Sequence, residues 1–319
     1  MNILVTLKGE HYELPHHAYA VLAEIHWPSK KIVRSLKIPA ASFRHDGAFM
    51  APLAGGVCCH GDRVFMAMWN FIVEIDYDTF EIVNAVSNPW MADLHGLATD
   101  GGYLYVVSTA VTSLLALNLK DLSLAWQWGP EEPILGQGAS WWQRWSSSCG
   151  NEFRYIHKSR SCHYRHHLND VRHRDGFLYL TTLKWLQQEG GAVIRLNPVN
   201  RQAEFLIPPG LIFGPHDGEW TQQGWLFTES AKNGVVWQRE DGSLNRMPLS
   251  PAPAFVRGLC AMGEGYLVGF TRRRQSATPS WIVEFSEDFG REISRLDVSL
   301  FYPKEIGAAI HALTHAPIL

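Results

Sequence analysis

Apolar and polar residues alternate in short runs along most of the chain, the period of strands with one buried face. A recurring phrase organises these runs: a small or polar anchor, a few residues, Gly or Asp-Gly, then an aromatic-rich strand. It appears as GGVCCHGDRVFMAMW from Gly55, HGLATDGGYLYVVST from His95 and HLNDVRHRDGFLYLTT from His167. PHDGEWTQQGWLFTES from Pro215 and RGLCAMGEGYLVGFT from Arg257 complete the internal set. A second alternating pair with a closing Asp, Asn or Gly turn follows most of them, as in FIVEIDYDTFEIV and WIVEFSEDFGREISRL. Each unit reads as a four-stranded antiparallel meander with hairpin turns. The anchors recur at roughly 40–50 residues, the blade spacing of a β-propeller.

The two ends supply one more blade. IHALTHAPIL has the pattern of an innermost strand without its sheet, and ILVTLKG, AYAVLAEIHW and KKIVRSLKI read as three outer strands without an innermost one. Joining them closes the ring and removes a free sheet edge. The sequence therefore predicts an all-β, six-bladed propeller forming one domain over residues 1–319. A weakly marked unit leaves five or seven blades open. Between the second and third internal units lies an insertion, about residues 129–165, carrying Trp141, Trp142 and Trp145 beside a Ser run and several Arg. Long loops in compact domains are usually functional, and this one is expected to act as a lid over one end of the channel.

Composition narrows the partners. The 319 residues are 46% hydrophobic and 18% charged, too apolar for a disordered chain, and the formal net charge of -3 gives no basic footprint for nucleic acid or an anionic membrane. No apolar run approaches the ~18 residues of a spanning helix, and the N-terminus lacks the core of a signal peptide. The five Cys form no recognisable disulfide framework, and Cys58, Cys59 and Cys260 read as small buried hydrophobes. A cytoplasmic location with reduced thiols is expected. No G-x-S-x-G, P-loop or dinucleotide fingerprint is present.

The 15 His are the excess to explain. In a propeller the innermost strand of each blade lines the channel, so equivalent anchors converge on one axis. Aligning the units brings Gly55, His95, Asn169 with His167, Asp217 with His216, Gly258 with Arg257, and His311 to one ring. Converging neutral imidazoles make a metal shell, so His95, His167, His216 and His311 are the candidate ligands. Fe or Cu is favoured for an all-His set, with Zn or Mn as alternatives. Asp170, Asp217 and Glu219 are the candidate acid/base groups. Arg257, Asn169, Trp142 and Arg274 are the candidate substrate contacts, with Arg257 suited to a carboxylate or phosphate. His166 and His45 are reserve ligands. His60, His163 and His173 are assigned to turns and packing, as is His315, placed on the opposite strand face from His311. Trp69, Tyr103, Tyr105, Trp225 and Tyr266 are expected to pack blade against blade.

The phrases HLNDVRHRDGFLYLTT, PHDGEWTQQGWLFTES and FVRGLCAMGEGYLVGFTRRR resemble the uncharacterised bacterial propeller-like family DUF4915, over about Cys162 to Arg274. That resemblance implies site positions at His167, Asn169, Asp170, His216, Arg257 and Gly258, and implies no reaction. The chain departs from the family pattern in the Trp-rich insertion and at Asp217 and Gly218. A looser likeness to six-bladed lactonases implies a divalent cation held by Glu, Asn and Asp, from which the His-rich anchors depart.

Three functions are compatible with this reading. The first is a metal-dependent oxidoreductase or oxygenase acting on a small, anionic molecule in the channel. The second is a metal-dependent hydrolase or lyase using Asp217 or Glu219 as base. The third is a non-catalytic propeller that binds a ligand or a protein.

Overall fold

The computed structural model describes residues 1–9, 19–39, 54–129, 166–185, 189–250, 254–272, 279–303 and 307–317. They form six four-stranded antiparallel sheets arranged as a six-bladed β-propeller. The insertion and its expected lid lie outside the described residues, as do His45, Trp142, His163 and Arg274.

The N-terminal strands are β1 (Asn2–Gly9), β2 (Tyr19–His26) and β3 (Lys31–Pro39). Blade 1 is β4 (Val57–His60), β5 (Arg63–Ala67), β6 (Ile72–Asp76) and β7 (Glu81–Val86). Blade 2 is β8 (Leu94–Thr99), β9 (Tyr103–Ser108), β10 (Ser113–Asn118) and β11 (Leu124–Trp128). Blade 3 is β12 (His166–Arg174), β13 (Phe177–Trp185), β14 (Gly191–Leu196) and β15 (Ala203–Ile212). Blade 4 is β16 (Pro215–Thr221), β17 (Gly224–Glu229), β18 (Gly234–Gln238) and β19 (Leu244–Pro248). Blade 5 is β20 (Ala254–Met262), β21 (Gly265–Arg272), β22 (Trp281–Ser286) and β23 (Glu292–Asp297). The last strand, β24 (Ala308–His315), pairs with β1, so blade 6 has the order β24-β1-β2-β3. The expected union of the chain ends is what closes the ring.

Burial follows from this geometry. The middle strands are covered on both faces by neighbouring blades: β6 and β10 are buried over nearly their whole length, whereas the outermost β7 is exposed. Trp225, Tyr105 and Tyr266 are buried in clusters between successive blades, as expected. Polar bridges tie the blades as well. The hydroxyl of Thr6 donates to Gly55 O at 2.8 Å, that of Thr109 to Leu168 O at 2.6 Å and that of Thr271 to Ile310 O at 3.2 Å. Further out, the Tyr77 hydroxyl donates to Glu24 and Trp27 Nε1–H to Glu284, each across a blade boundary. The repeated phrases LAEI, IVEI and IVEF place Glu24, Glu74 and Glu284 at corresponding third-strand positions.

Five of the six innermost strands are interrupted by a bulge or other irregularity in their pairing. Two residues stand opposite one at His95–Gly96 in β8, at Asn169 in β12, at Asp217 in β16, at Arg257–Gly258 in β20 and at His311 in β24. A bulge bends the strand and re-aims the extra side chain. Every strand that supplies a candidate ligand or Arg257 therefore breaks its ladder near that residue.

Close approach of these strands leaves no room for side chains at some positions. A Cβ added at Gly96 would lie 2.5 Å from Asp170 Oδ1 and 2.6 Å from Asp170 Cα on the adjoining strand. Gly96→Ala is expected to cost about 1–3 kcal/mol by overpacking, whereas Gly263→Ala, with nothing within 4 Å of its added Cβ, should change stability by no more than about 0.5 kcal/mol. Urea denaturation of the two variants checks the pair.

Candidate functional site

His95, His167, His216, His311 and Arg257 come from five different blades and line one cavity of about 230 Å³ at one mouth of the channel. The convergence expected from the anchors is present. Blade 1 contributes Ala54 rather than a functional group. His166, the reserve ligand, is turned the other way by strand alternation, and its ring packs 4.1 Å from that of Trp185.

The imidazoles are arranged edge to face: His95 lies 5.3 Å from His167 and 5.2 Å from His311 between ring centroids. Both nitrogens of His95 are engaged. An Arg257 guanidinium N–H donates to Nδ1 at 3.1 Å, and Nε2 lies 3.5 Å from Asp93 Oδ1. This network assigns the proton to Nε2 and the lone pair to Nδ1. His216 Nδ1 lies 2.9 Å from Gly214 O and 2.9 Å from Ser230 Oγ, which leaves Nε2 for the cavity. His311 Nδ1 is buried without a hydrogen-bond partner.

Sequence reasoning missed Lys8 and Asp93, which line the same cavity. Asp93 was findable only by its nearness in sequence to His95, since it precedes β8 with a φ of +53° and strand alternation does not place it. Lys8 was not, because it lies on β1, the second strand of its sheet. The charge of Lys8, with that of Arg257, helps hold His95, His216 and His311 neutral. Burial drives the His95 pKa down to about 4 against the pull of Asp93, and burial likewise puts His216 and His311 well below the usual histidine value.

These features test the expected metal shell. Among the described residues no three His, Cys, Asp or Glu side chains form a group that could hold a metal ion. The four imidazoles share a cavity, but His95 spends its nitrogens on Arg257 and Asp93, and two cations line the same wall. The residues as placed do not fit a metal centre.

Asp170, Asp217 and Asn169 are not on the lining of this cavity. Asp170 Oδ2 accepts the Gly218 N–H at 3.1 Å, Asp217 Oδ2 accepts the Gly258 N–H at 2.7 Å, and Asn169 Nδ2 donates to Pro215 O at 2.7 Å. Each thereby binds the backbone of the next blade, and the two carboxylates hold backbone N–H groups at or beside its bulge. Burial raises both carboxyls above the usual range, with Arg172 and Arg257 opposing it.

Glu219 was expected beside Asp217 at the histidine site. At roughly 3.3 Å per residue, its three-residue separation from His216 carries it about 10 Å along the strand. It lines the opposite mouth, in a cavity of about 370 Å³ with Cys58, Cys59, Arg172, His173, Cys260 and His315. His315 is also corrected. Four residues from His311 is the same strand face, so it lines this second mouth, exposed rather than packed. Cys260 is buried as expected, whereas Cys58 and Cys59 are half-buried.

No protein-family model matches the chain, and no curated protein matches it. Solved structures do. A protein of unknown function from Bacteroides caccae superposes with a TM-score of 0.63 at 13% identity, covering 98% of this chain and 97% of that one. A nidogen/laminin complex gives 0.63 at 8% identity and 98% coverage of both chains. Virginiamycin B lyase from Staphylococcus aureus gives 0.53 at 13% identity, with 89% of this chain and 78% of that chain covered. At these identities the likeness shows the fold alone. Among the described residues no helix is long and apolar enough to cross a membrane.

Two measurements follow from this geometry. Asp217→Ala strands the buried Gly258 N–H and should cost about 1–3 kcal/mol, while Asp217→Asn keeps an acceptor and should cost less; thermal and urea unfolding distinguish them. The histidines set a pH dependence. A histidine with a folded pKa below its unfolded value, about 6.5, stabilises the fold above that value, and the contribution is lost as pH falls toward the folded pKa. The raised carboxyls act in the opposite sense, so the comparison is between variants. His311→Asn should lose less unfolding free energy than the parent as the pH falls from about 7 to about 5, read by urea unfolding at each pH.

Proposed function

We propose that the propeller binds a small molecule bearing a carboxylate or other oxyanion at the histidine mouth. One observation carries this reading: two cations, Arg257 and Lys8, share with a single carboxylate, Asp93, a cavity whose other polar walls are largely neutral imidazoles. A guanidinium matches an oxyanion with paired N–H donors, and a buried cavity strengthens that attraction. The volume of about 230 Å³ suits a compact metabolite rather than a polymer.

The same geometry supports proton transfer. Arg257 covers the His95 Nδ1 lone pair. An oxyanion that draws the guanidinium onto itself uncovers that lone pair beside the ligand, while Asp93 holds the other edge of the ring. His95 is then placed as an acid/base group with Asp93 as its orienting partner. Acid/base chemistry on a small carboxylate is the reaction class that these side chains favour over redox chemistry.

The metal-centre reading, with Fe or Cu and with His95, His167, His216 and His311 as ligands, keeps one supporting observation: four imidazoles on one cavity, with His311 Nδ1 unbonded. Elemental analysis of protein purified without a histidine tag separates the two. Stoichiometric metal would overturn the oxyanion reading.

In a thermal-shift titration with acetate, pyruvate and inorganic phosphate, at least one anion is expected to stabilise the protein saturably. Arg257→Gln should weaken that binding by about tenfold or more, the value of a lost charge-assisted hydrogen bond. No stabilisation by any of the three, or full retention in Arg257→Gln, would sink the proposal.

A further inference from the structure

The channel has a second mouth, and its chemistry differs from that of the first: its lining holds one carboxylate, Glu219, and one guanidinium, Arg172. We propose that this mouth is a separate binding site for a small organic cation, a primary amine on an apolar stem, with Glu219 as its anionic partner.

All six innermost strands contribute to the cavity of about 370 Å³. Glu219 is the carboxylate on its lining, and among the described residues it forms no salt bridge. The cation on the same lining, Arg172, acts on Glu219 through its charge while its guanidinium hydrogen-bonds elsewhere. Arg172 donates through Nε to Gly218 O at 2.7 Å and through an Nη to Asp170 Oδ1 at 3.1 Å. Other charged or titratable groups facing Glu219 are His315 and Arg174, whose charges would favour its ionised form, and Cys260. Burial works against that form and raises the Glu219 pKa. Glu219 accepts the Trp220 backbone N–H and feels the Arg172 charge, and a cation entering the cavity would add the direct ion partner that no salt bridge supplies.

The remaining wall sets the rest of the ligand. Leu97 and Leu313 are apolar, and burial holds the thiols of Cys58 and Cys260 protonated, so they act as small hydrophobes. Thr99 and Thr314 add hydroxyl oxygens that can accept ammonium N–H donors. An ammonium group over Glu219 with its alkyl stem along Leu97 and Leu313 uses each of these. A free divalent ion would use only the carboxylate, and no three ligand-type side chains gather for it among the described residues.

The test titrates n-butylammonium into the intact chain at about pH 8, where the amine is charged and carboxylates are ionised, with backbone amide shifts as the readout. Saturable shifts are expected at Leu97, Thr99 and Cys260. Glu219→Gln, which keeps the side chain's size, should weaken binding by about tenfold or more, and n-butanol should bind about tenfold more weakly than the amine. Lys8→Ala, at the other mouth, should retain amine binding, so this result is independent of the oxyanion site. Absence of saturable binding, equal binding of butanol, or undiminished binding by a folded Glu219→Gln variant would each overturn the proposal.

Discussion

Six strands converge on one axis, and the backbone polar groups freed where five of them bulge must be satisfied there, away from water. Everything distinctive about the channel depends on that requirement. Each bulge re-aims a side chain toward the axis and leaves part of the local ladder unmade. Buried N–H and C=O groups without partners are costly, and the preceding blade supplies what is missing. Asp170 accepts from Gly218, Asp217 from Gly258, and His95 O from Gly56 N–H at 2.6 Å. The blades are locked in register by the same bonds that satisfy the bulges.

That arrangement divides the channel electrically. The aspartates and Arg172 occupy its waist, where Asp170, Asp217, Arg172 and Arg257 influence one another's charge. Above them lies a mouth where Lys8, Arg257 and Asp93 stand among neutral imidazoles, and below them a mouth of Glu219, thiols and hydroxyls that Arg172 also lines. A protein channel that kept the same residues on straight strands would spread them along both faces of each sheet. The bulges gather them toward two chemically different ends.

The fold was legible because hydrophobic periodicity and turn residues repeat at blade spacing, and the split blade was legible because each chain end lacked what the other supplied. The histidine ring was legible for a related reason: equivalent positions in a ring must meet. What could not be read was depth. Asp217 and Glu219 are two residues apart, yet Asp217 belongs to the waist and Glu219 to the far mouth. The alternation that placed both near the axis says nothing about which end each reaches. Lys8 was invisible for another reason, since a second-strand residue reaches the mouth only through the packing of its blade.

The interrupted strands also leave a mark in the sequence. The dipeptides His95-Gly96, Asn169-Asp170, Asp217-Gly218 and Arg257-Gly258 are turn chemistry embedded in strand patterns. Gly inside a strand weakens it unless a bulge or a close backbone approach requires it, and both occur here. Gly258 has a φ of +86°, a conformation that L side chains rarely adopt. A Cβ at Gly218 would fall 1.8 Å from the Trp225 ring. In three of these pairs the functional side chain and the glycine that permits its placement are adjacent. The polar residue supplies the chemistry, and the glycine beside it supplies backbone freedom at Gly258 and room for close packing at Gly96 and Gly218.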